Sequence, residues 1–367
     1  MLVSNWETLP AEIYVNIFQN LTNDDRLNAA QVCKTWNKCM KSPQLWYTVE
    51  VDFQKGLCDV NLRDIAKNYG EFFRHLHIKC HQRAADNCRN SGNFVQDLAR
   101  KKRLELQEFK LEFCEQNPFF FSGRCYLENL QDFFNTKSLC YITKIDLSKF
   151  PIAITDEFLK TITKCHASYL EVLNIQNNTL VYQISRAMLV AFVKKARRLQ
   201  YLYVQAICFC SDVLRAFGNA DRAEVQFISL LFTSAAKYSR FVTDEEWLMI
   251  KKKSPNLKLE VWFNHTCPLQ LTYRVLVPEA PVSILKLCLY SIVIDHINLV
   301  SSIYSTTLES LCIYTTTSHE LDNAVLNLVK ECKKLTVLDV VCKMNDDVVK
   351  EILQLKQLKE YTLTTEK

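Results

Sequence analysis

The hydrophobic positions near the start of the chain recur every three or four residues, which is the period of an α-helix. The first group consists of Leu9, Ile13, Ile17, Phe18 and Leu21, and the second of Leu27, Ala30, Val32, Cys33 and Trp36. A polar turn at residues 22–25 separates them, where Asn23 or Asp24 can cap the next helix. We predict two amphipathic helices in a hairpin that Pro43 prevents from continuing, because proline interrupts helical hydrogen bonding.

This hairpin has more apolar surface than it can bury by itself. A segment of roughly 40 residues does not form a self-sufficient core, yet apolar side chains occupy more than one face. We therefore expect a partner protein to cover the apolar surface that the hairpin leaves exposed. The alternative is an ordinary helical hairpin.

A second pattern, apolar, two of any type, apolar, one of any type, apolar, recurs through the rest of the chain. Its copies are Phe73-Leu76-Ile78, Leu106-Phe109-Leu111, Ile142-Ile145-Leu147, Leu170-Leu173-Ile175, Leu199-Leu202-Val204, Ile284-Leu287-Leu289, Leu308-Leu311-Ile313, Leu335-Leu338-Val340 and Leu358-Tyr361-Leu363. Looser strands of the same type are expected at residues 225–231 and 257–263. Most copies follow one another at the spacing of leucine-rich repeats, about 20–29 residues, and only the earliest spacings are longer.

Amphipathic helices are predicted between these strands, with starts at Thr155, Ser185, Thr243 and Asn345. Stacked strand–helix copies bury an apolar side that one copy cannot. The predicted fold class is α/β, with an all-helical N-terminal domain at residues 1–50. A leucine-rich-repeat solenoid follows at residues 51–367, degenerate at its start, with a curved parallel sheet and outer helices. Irregular loops are expected at residues 80–94, 117–136, 206–222 and 264–282, the last because of its prolines.

The N-terminal segment resembles the F-box motif. The matching residues are Leu9-Pro10, Ile13, Ile17-Phe18, Leu21, Asp25, Leu27, Val32-Cys33-Lys34, Trp36 and Leu45-Trp46. In that family these positions form a helical module that docks on the adaptor Skp1 in cullin-RING ubiquitin ligases. The resemblance implies a Skp1 contact through Leu9, Pro10, Ile13, Ile17, Phe18, Leu21, Leu27, Val32, Cys33, Trp36 and Trp46. Arg26 departs from the motif, which often has leucine there, so we expect Leu27 to take up that contact.

The repeats resemble those of F-box/leucine-rich-repeat proteins, as in Cys332-Lys-Lys-Leu335. They are also loosely similar to the branch with the cryptochrome receptors and the F-box-only protein 39 group. Side chains beside the core leucines face the other side of each strand, since strand side chains alternate. Aromatic residues there suit a protein interface, and we expect a substrate surface of Tyr201, Tyr203, Trp262, Tyr290 and Tyr314. The alternative is that a loop covers Tyr201 or Trp262.

The amino-acid composition limits the cellular compartments and the classes of partner that we expect for this protein. Hydrophobic residues make up 49% of the chain and charged residues 23%, as in a folded soluble protein. The apolar runs are too short to span a bilayer, and residues 1–10 lack the basic start of a secretory signal. We expect the cytoplasm, the nucleus or both, with most of the 16 cysteines reduced. The runs of basic residues lie at the C-terminal ends of predicted helices, where positive charge interacts favourably with the helix dipole. We therefore expect neither nucleic acid nor a membrane as a partner.

The clustered histidines and cysteines are more simply explained as surface histidines and core cysteines than as a metal or thiol site. His75, His77 and His81 come close to Cys80 and Cys88 in sequence, but a strand turns His75 and His77 away from Cys80, which opposes one tetrahedral zinc site. Cys208 and Cys210 are expected to share a strand face and fill the core. No phosphate loop, nucleophile elbow or zincin motif occurs, so we expect neither a cofactor nor an enzyme active site.

The resemblance therefore implies a non-catalytic, substrate-recognition subunit of an SCF (Skp1-cullin-F-box) E3 ubiquitin ligase. Its partners would be Skp1, the cullin-RING ligase core and a protein substrate that the sequence does not name. The alternative is a Skp1-binding leucine-rich-repeat scaffold without ligase function. Recruitment of a cullin distinguishes the two.

Overall fold

The computed structural model describes residues 9–54, 60–115, 123–136, 139, 141–177, 179, 182–237, 239, 241–355 and 357–365. The chain forms two compact units. Unit 1 comprises Met1–Leu173 and Asn177–Gln183, and unit 2 comprises Asn174–Gln176 and Ile184–Lys367. The domain boundary predicted near residue 50 stays a prediction.

Unit 1 begins with three helices rather than the two predicted. They are α1 (Ala11–Phe18), α2 (Asn23–Val32) and α3 (Lys34–Cys39), followed by a 3-10 turn at Pro43–Trp46. The predicted second helix breaks at Cys33, whose backbone is extended with φ −155° and ψ 167°. Its sulfur accepts a hydrogen bond from the Trp36 N–H at 3.4 Å and so caps α3. The cap of α2 is Thr22, which accepts from the Asp25 N–H at 3.2 Å, and not Asn23 or Asp24.

The rest of unit 1 alternates strands and helices. Its strands are β1 (Thr48–Phe53), β2 (His75–His81), β3 (Glu108–Cys114), β4 (Lys144–Lys149) and the start of β5 (Val172–Asn174). Its helices are α4 (Val60–Tyr69), α5 (Ala85–Ala99), α6 (Gly123–Phe134) and α7 (Asp156–Cys165). The first four strands pair in parallel in chain order. Strand β1 was not predicted, although Val49, Val51 and Phe53 face the core at strand spacing.

Unit 2 repeats the same arrangement. Its strands are β6 (Tyr201–Gln205), β7 (Phe227–Phe232), β8 (Lys258–Phe263), β9 (Val282–Leu287), β10 (Ser310–Tyr314), β11 (Val337–Met344) and β12 (Glu360–Thr365). Its helices are α8 (Arg186–Lys195), α9 (Ser211–Phe217), α10 (Asp244–Lys253), α11 (Leu269–Val275), α12 (Ile294–Tyr304), α13 (His319–Glu331) and α14 (Asp346–Gln354). Each strand pairs in parallel with the next. N-terminal helices followed by parallel strand–helix repeats confirm the predicted leucine-rich-repeat fold class.

The repeat register in β9 was predicted two residues too late. Val282, Leu285 and Leu287 are fully buried there, whereas Ile284 is only half-buried. An irregularity in the pairing of β8 with β9 at Leu259 and Glu260 accompanies this shift. A pattern that tolerates any apolar residue fits both registers, so the sequence alone did not choose between them.

Each of the four segments predicted to be irregular contains a helix: α5, α6, α9 and α11. In α5 the reason is visible, because Asn87, Asn90, Ser91 and Asp97 are buried together with the apolar residues. A helix that buries polar side chains loses the apolar stripe by which helices are recognised. The predicted starts at Thr155, Ser185 and Asn345 are confirmed as side-chain caps. None of the described helices is long and apolar enough to cross a membrane.

Candidate protein-binding surfaces

Helices α1 and α2 expose apolar side chains to solvent. Ile13 and Ile17 are 42% and 41% exposed, and Val32 is 64% exposed. On the other side of α1, Tyr14, Val15 and Phe18 are buried. We call Ile13, Ile17 and Val32 the helical apolar patch. Because burial of such side chains is favourable, the patch is suited to contact with another protein.

The predicted Skp1-contact residues divide into three groups. Pro10, Ile13, Ile17, Val32 and Cys33 are exposed; Leu9, Leu21, Leu27 and Trp36 are half-buried; Phe18 and Trp46 are buried. The Phe18 ring meets the edge of Trp36 with centroids 5.2 Å apart. Trp46 stacks on Tyr69 at 4.1 Å and donates a hydrogen bond to the Met40 carbonyl at 2.7 Å. Phe18 and Trp46 therefore hold the module together from inside, so a direct contact by either would require it to open.

Arg26, which departs from the F-box pattern, stabilises the N-terminal helices through hydrogen bonds to backbone carbonyls. Its guanidinium donates to the carbonyl oxygens of Phe18, Gln19 and Leu45 at 3.0, 2.9 and 2.6 Å. It also lies over the Trp46 ring, 5.6 Å from the centroid. Partial burial lowers its pKa. Arg26 thus satisfies the carbonyls at the end of α1 and ties that end to the 3-10 turn, which a leucine could not do.

Four of the five predicted substrate-surface aromatics lie on the strand face of unit 2 that points away from the helices. Tyr201 and Tyr203 on β6 alternate with buried Leu202, and Trp262 and Tyr314 have the same orientation on β8 and β10. The fifth, Tyr290, follows β9 and is 64% exposed. We call these five residues the strand-face aromatics.

The structure brings some of these aromatics together and keeps others apart. The rings of Tyr290 and Tyr314 meet edge to face at 5.8 Å. Trp262 receives the Lys286 ammonium 5.1 Å from its ring centroid, and Lys286 also pairs with Glu260 at 2.5 Å. The tyrosines of β6 have separate neighbours, because β7 lies between β6 and β8. The expected surface is therefore divided into the β6 tyrosines, Trp262 with Lys286, and the pair of Tyr290 and Tyr314.

The corresponding face in unit 1 is ionic, which sequence reasoning missed. His77 lies between Glu50 and Glu112, at 3.0 and 3.3 Å. Lys79 reaches Glu50 at 2.6 Å, and this hydrogen bond is the main reason that the pKa of Glu50 is lowered. His81 contacts Asp52 at 3.2 Å. Alternating charged residues in β1, β2 and β3 are the signal that could have indicated this network.

The candidate metal and thiol residues do not assemble into a metal site. Histidines 75, 77 and 81 lie on the strand face of β2, and Cys80 points to the core as predicted. In the described part of the chain, no group of three or more histidine, cysteine, aspartate or glutamate residues is placed to hold a metal ion. Cys208 and Cys210 do not share a strand face, because β6 ends at Gln205 and Cys208 ends a 3-10 turn.

Comparison with known proteins gives these surfaces a context. The F-box-like family model matches residues 6–51, which include all three N-terminal helices. The chain thus combines an F-box-like segment with parallel strand–helix repeats, and it is similar to proteins named F-box/LRR-repeat protein.

Its similarity to particular proteins extends over nearly the whole chain. It is 24% identical to human (Homo sapiens) F-box/LRR-repeat protein 8 over 368 residues, covering 97% of this chain and 95% of that protein. The bovine (Bos taurus) protein of the same name is 23% identical, with the same coverage of both chains. Mouse (Mus musculus) F-box/LRR-repeat protein 21 is 37% identical over 51 residues, which are 14% of this chain and 12% of that protein. The solved structure titled "Crystal structure of TLR13-ssRNA13 complex" matches 80% of this chain and 51% of that chain, with 11% identity and a TM-score of 0.30.

Proposed function

We propose that this chain is the substrate-recognition subunit of an SCF E3 ubiquitin ligase. In this proposal the F-box helices bind Skp1, Skp1 connects them to a cullin-RING core, and the repeats bind the protein to be ubiquitinated. The F-box-like match and the F-box/LRR relatives support an adaptor of this type in general. The observation that supports binding of Skp1 in particular is the helical apolar patch.

The patch supplies a plausible binding energy. Full burial of one side chain such as Val32 or Ile17 is worth roughly 1.5–3 kcal/mol before the cost of association is subtracted. The three residues extend from a module whose interior is already filled by Phe18, Met40 and Trp46. They are therefore available to a partner without unfolding of the helices.

A charge placed in the patch tests the Skp1 contact. We expect Val32→Asp to weaken binding of purified full-length protein to Skp1 by more than about tenfold, because a carboxylate would be buried against an apolar partner. Binding is measured by calorimetry. The matched control is Ile292→Asp in unit 2, since Ile292 is 70% exposed and lies outside the F-box. Equal affinity of the two variants would contradict the assignment.

The chain's contribution to ubiquitin transfer would be proximity. Holding a target lysine near the E2 thioester makes an encounter between two molecules nearly intramolecular, which raises its effective concentration. No catalytic group of this chain is required. A Skp1 complex that recruits no cullin would instead favour the scaffold function.

The strand-face aromatics are the proposed substrate contact. Tyr and Trp on a rigid surface provide large contact area at low entropic cost, and truncation of such anchors costs at least about 2 kcal/mol at interface hot spots. We expect Tyr290→Ala and Trp262→Ala each to reduce target capture in cells, measured by proximity labelling with the ligase held inactive. The control is Tyr361→Ala, because Tyr361 is 52% exposed but pairs in register with buried Leu338 and so has the opposite orientation. Unchanged capture by both folded variants would remove these residues from the substrate surface.

A further inference from the structure

Two cysteines of unit 1 meet between β2 and α5. Cys80 points from β2 into the core and is fully buried, whereas Cys88 in the first turns of α5 is half-buried. The Cys80 thiol donates a hydrogen bond to the Cys88 sulfur, and the two sulfurs are 3.7 Å apart. Few residues separate them in sequence, and Asn87 fixes the connection by donating to the His81 carbonyl at 2.8 Å.

The two thiols are chemically unequal. The hydrogen bond from Cys80 lowers the pKa of Cys88, whereas the same interaction and burial raise the pKa of Cys80. Cys88 also lies near the N-terminus of a 15-residue helix, an end that favours negative charge. Cys88 is thus suited to act as a nucleophilic thiolate, with the proton of Cys80 already directed at its sulfur.

We propose that Cys80 and Cys88 form a reversible disulfide when the protein meets a peroxide. The Cys88 thiolate attacks one oxygen of the peroxide, so that an S–O bond forms and the O–O bond breaks. The other oxygen leaves as an alcohol, or as water from hydrogen peroxide, after taking up a proton. The sulfur of Cys80 then attacks the sulfur of the Cys88 sulfenic acid, and the S–O bond breaks. The released hydroxide leaves as water with the thiol proton of Cys80, and the pair has lost two electrons to the peroxide.

The surroundings explain why this pair would react in preference to the buried cysteines Cys267 and Cys332. Cys267 and Cys332 are buried, and burial raises their pKa to about 12 and about 11. Ser91 lies one helical turn after Cys88 and hydrogen-bonds to the Tyr126 hydroxyl at 2.5 Å, which keeps polar side chains beside the pair. A covalent link would join β2 to α5 where they already touch, and the two sulfurs would move from 3.7 Å apart to bonding distance.

The test uses the full-length protein and hydrogen peroxide. After timed exposure, free thiols are alkylated, and peptides digested without reductant are analysed by mass spectrometry. We expect a Cys80–Cys88 linked peptide that forms at least about tenfold faster than Cys267 or Cys332 is oxidised, because thiolate fraction changes about tenfold per pKa unit. A thiol reductant should remove the link.

Variants assign the roles. Cys80→Ser should leave Cys88 as a sulfenic acid that dimedone traps, Cys88→Ser should leave Cys80 reduced, and Cys332→Ser should link like the natural protein. Thermal melting checks that each variant is folded. If a variant is not folded, the rate of Cys80–Cys88 linkage in the natural protein remains the test. Oxidation of Cys80 and Cys88 no faster than Cys267, or a dominant link from either to a third cysteine such as Cys114, would overturn the proposal.

Discussion

Single side chains decide how the N-terminal helices turn, and these are the details that hydrophobic spacing does not specify. Cys33 adopts an extended backbone and separates α2 from α3, although its neighbours continue the apolar period. Arg26 replaces an apolar contact with three hydrogen bonds to carbonyl groups. Both effects depend on hydrogen bonds to backbone groups, so apolar spacing alone could not reveal them.

Two buried histidines make stability sensitive to acid. His166 and His296 are each 1% exposed, and burial lowers the pKa of both below the ordinary value. His166 donates its Nε2 proton to the Phe134 carbonyl at 2.7 Å, and the His296 ring lies tilted against Tyr273 with the ring centroids 4.3 Å apart. Both rings are therefore neutral in the folded protein at neutral pH.

The direction of the pH dependence follows. Above the unfolded pKa of about 6.5 both states are neutral, and the histidines do not affect the balance. As pH falls below that value the unfolded chain binds protons first, so stability is lost until the folded pKa is reached. We expect the urea midpoint to fall as the pH drops below about 6.5, and to fall less when both residues are phenylalanine. The control is His265→Gln at an exposed site; an unchanged slope in the double variant would contradict this account.

At the scale of elements, helix starts were the most predictable feature. Thr243 and Glu246 form the predicted capping box of α10, with the Thr243 N–H donating to the Glu246 carboxylate at 3.0 Å. We expect Thr243→Ala to lower the free energy of unfolding by about 1 kcal/mol, measured by urea titration. Thr317→Ala, at an exposed position outside the helices, serves as the control. Equal stability of the two variants would mean that the box adds nothing.

The strands were predictable because each repeat places its leucines at fixed intervals against the same core. Where the apolar spacing is less regular, elements were missed or placed in the wrong register. Helix α5 buries asparagine, serine and aspartate together with its apolar residues, and β9 allows two registers. Strand β1 (Thr48–Phe53) crosses the domain boundary predicted at residue 50, and its short alternation was not recognised as a strand. These elements depend on neighbours distant in sequence, which local patterns do not contain.

At the scale of the whole molecule, we propose different surfaces for different partners. The helical apolar patch belongs to the Skp1 proposal, and the strand-face aromatics of unit 2 belong to the substrate proposal. The corresponding face of unit 1 pairs its charges internally, as between Glu50 and Lys79, which leaves less reason for a protein to dock there. The patch was predictable from the F-box resemblance, whereas the ionic face depended on strand register.

Amide hydrogen exchange of the full-length protein with and without Skp1 shows whether the N-terminal helices bind this adaptor. We expect slower exchange in α1, α2 and α3 on adding Skp1, since contact with the patch stabilises these short helices against local opening. The amides of β8, β9 and β10 should be unchanged. Protection confined to unit 2, or no protection anywhere at saturating Skp1, would contradict the assignment of the N-terminal helices as the Skp1-binding module.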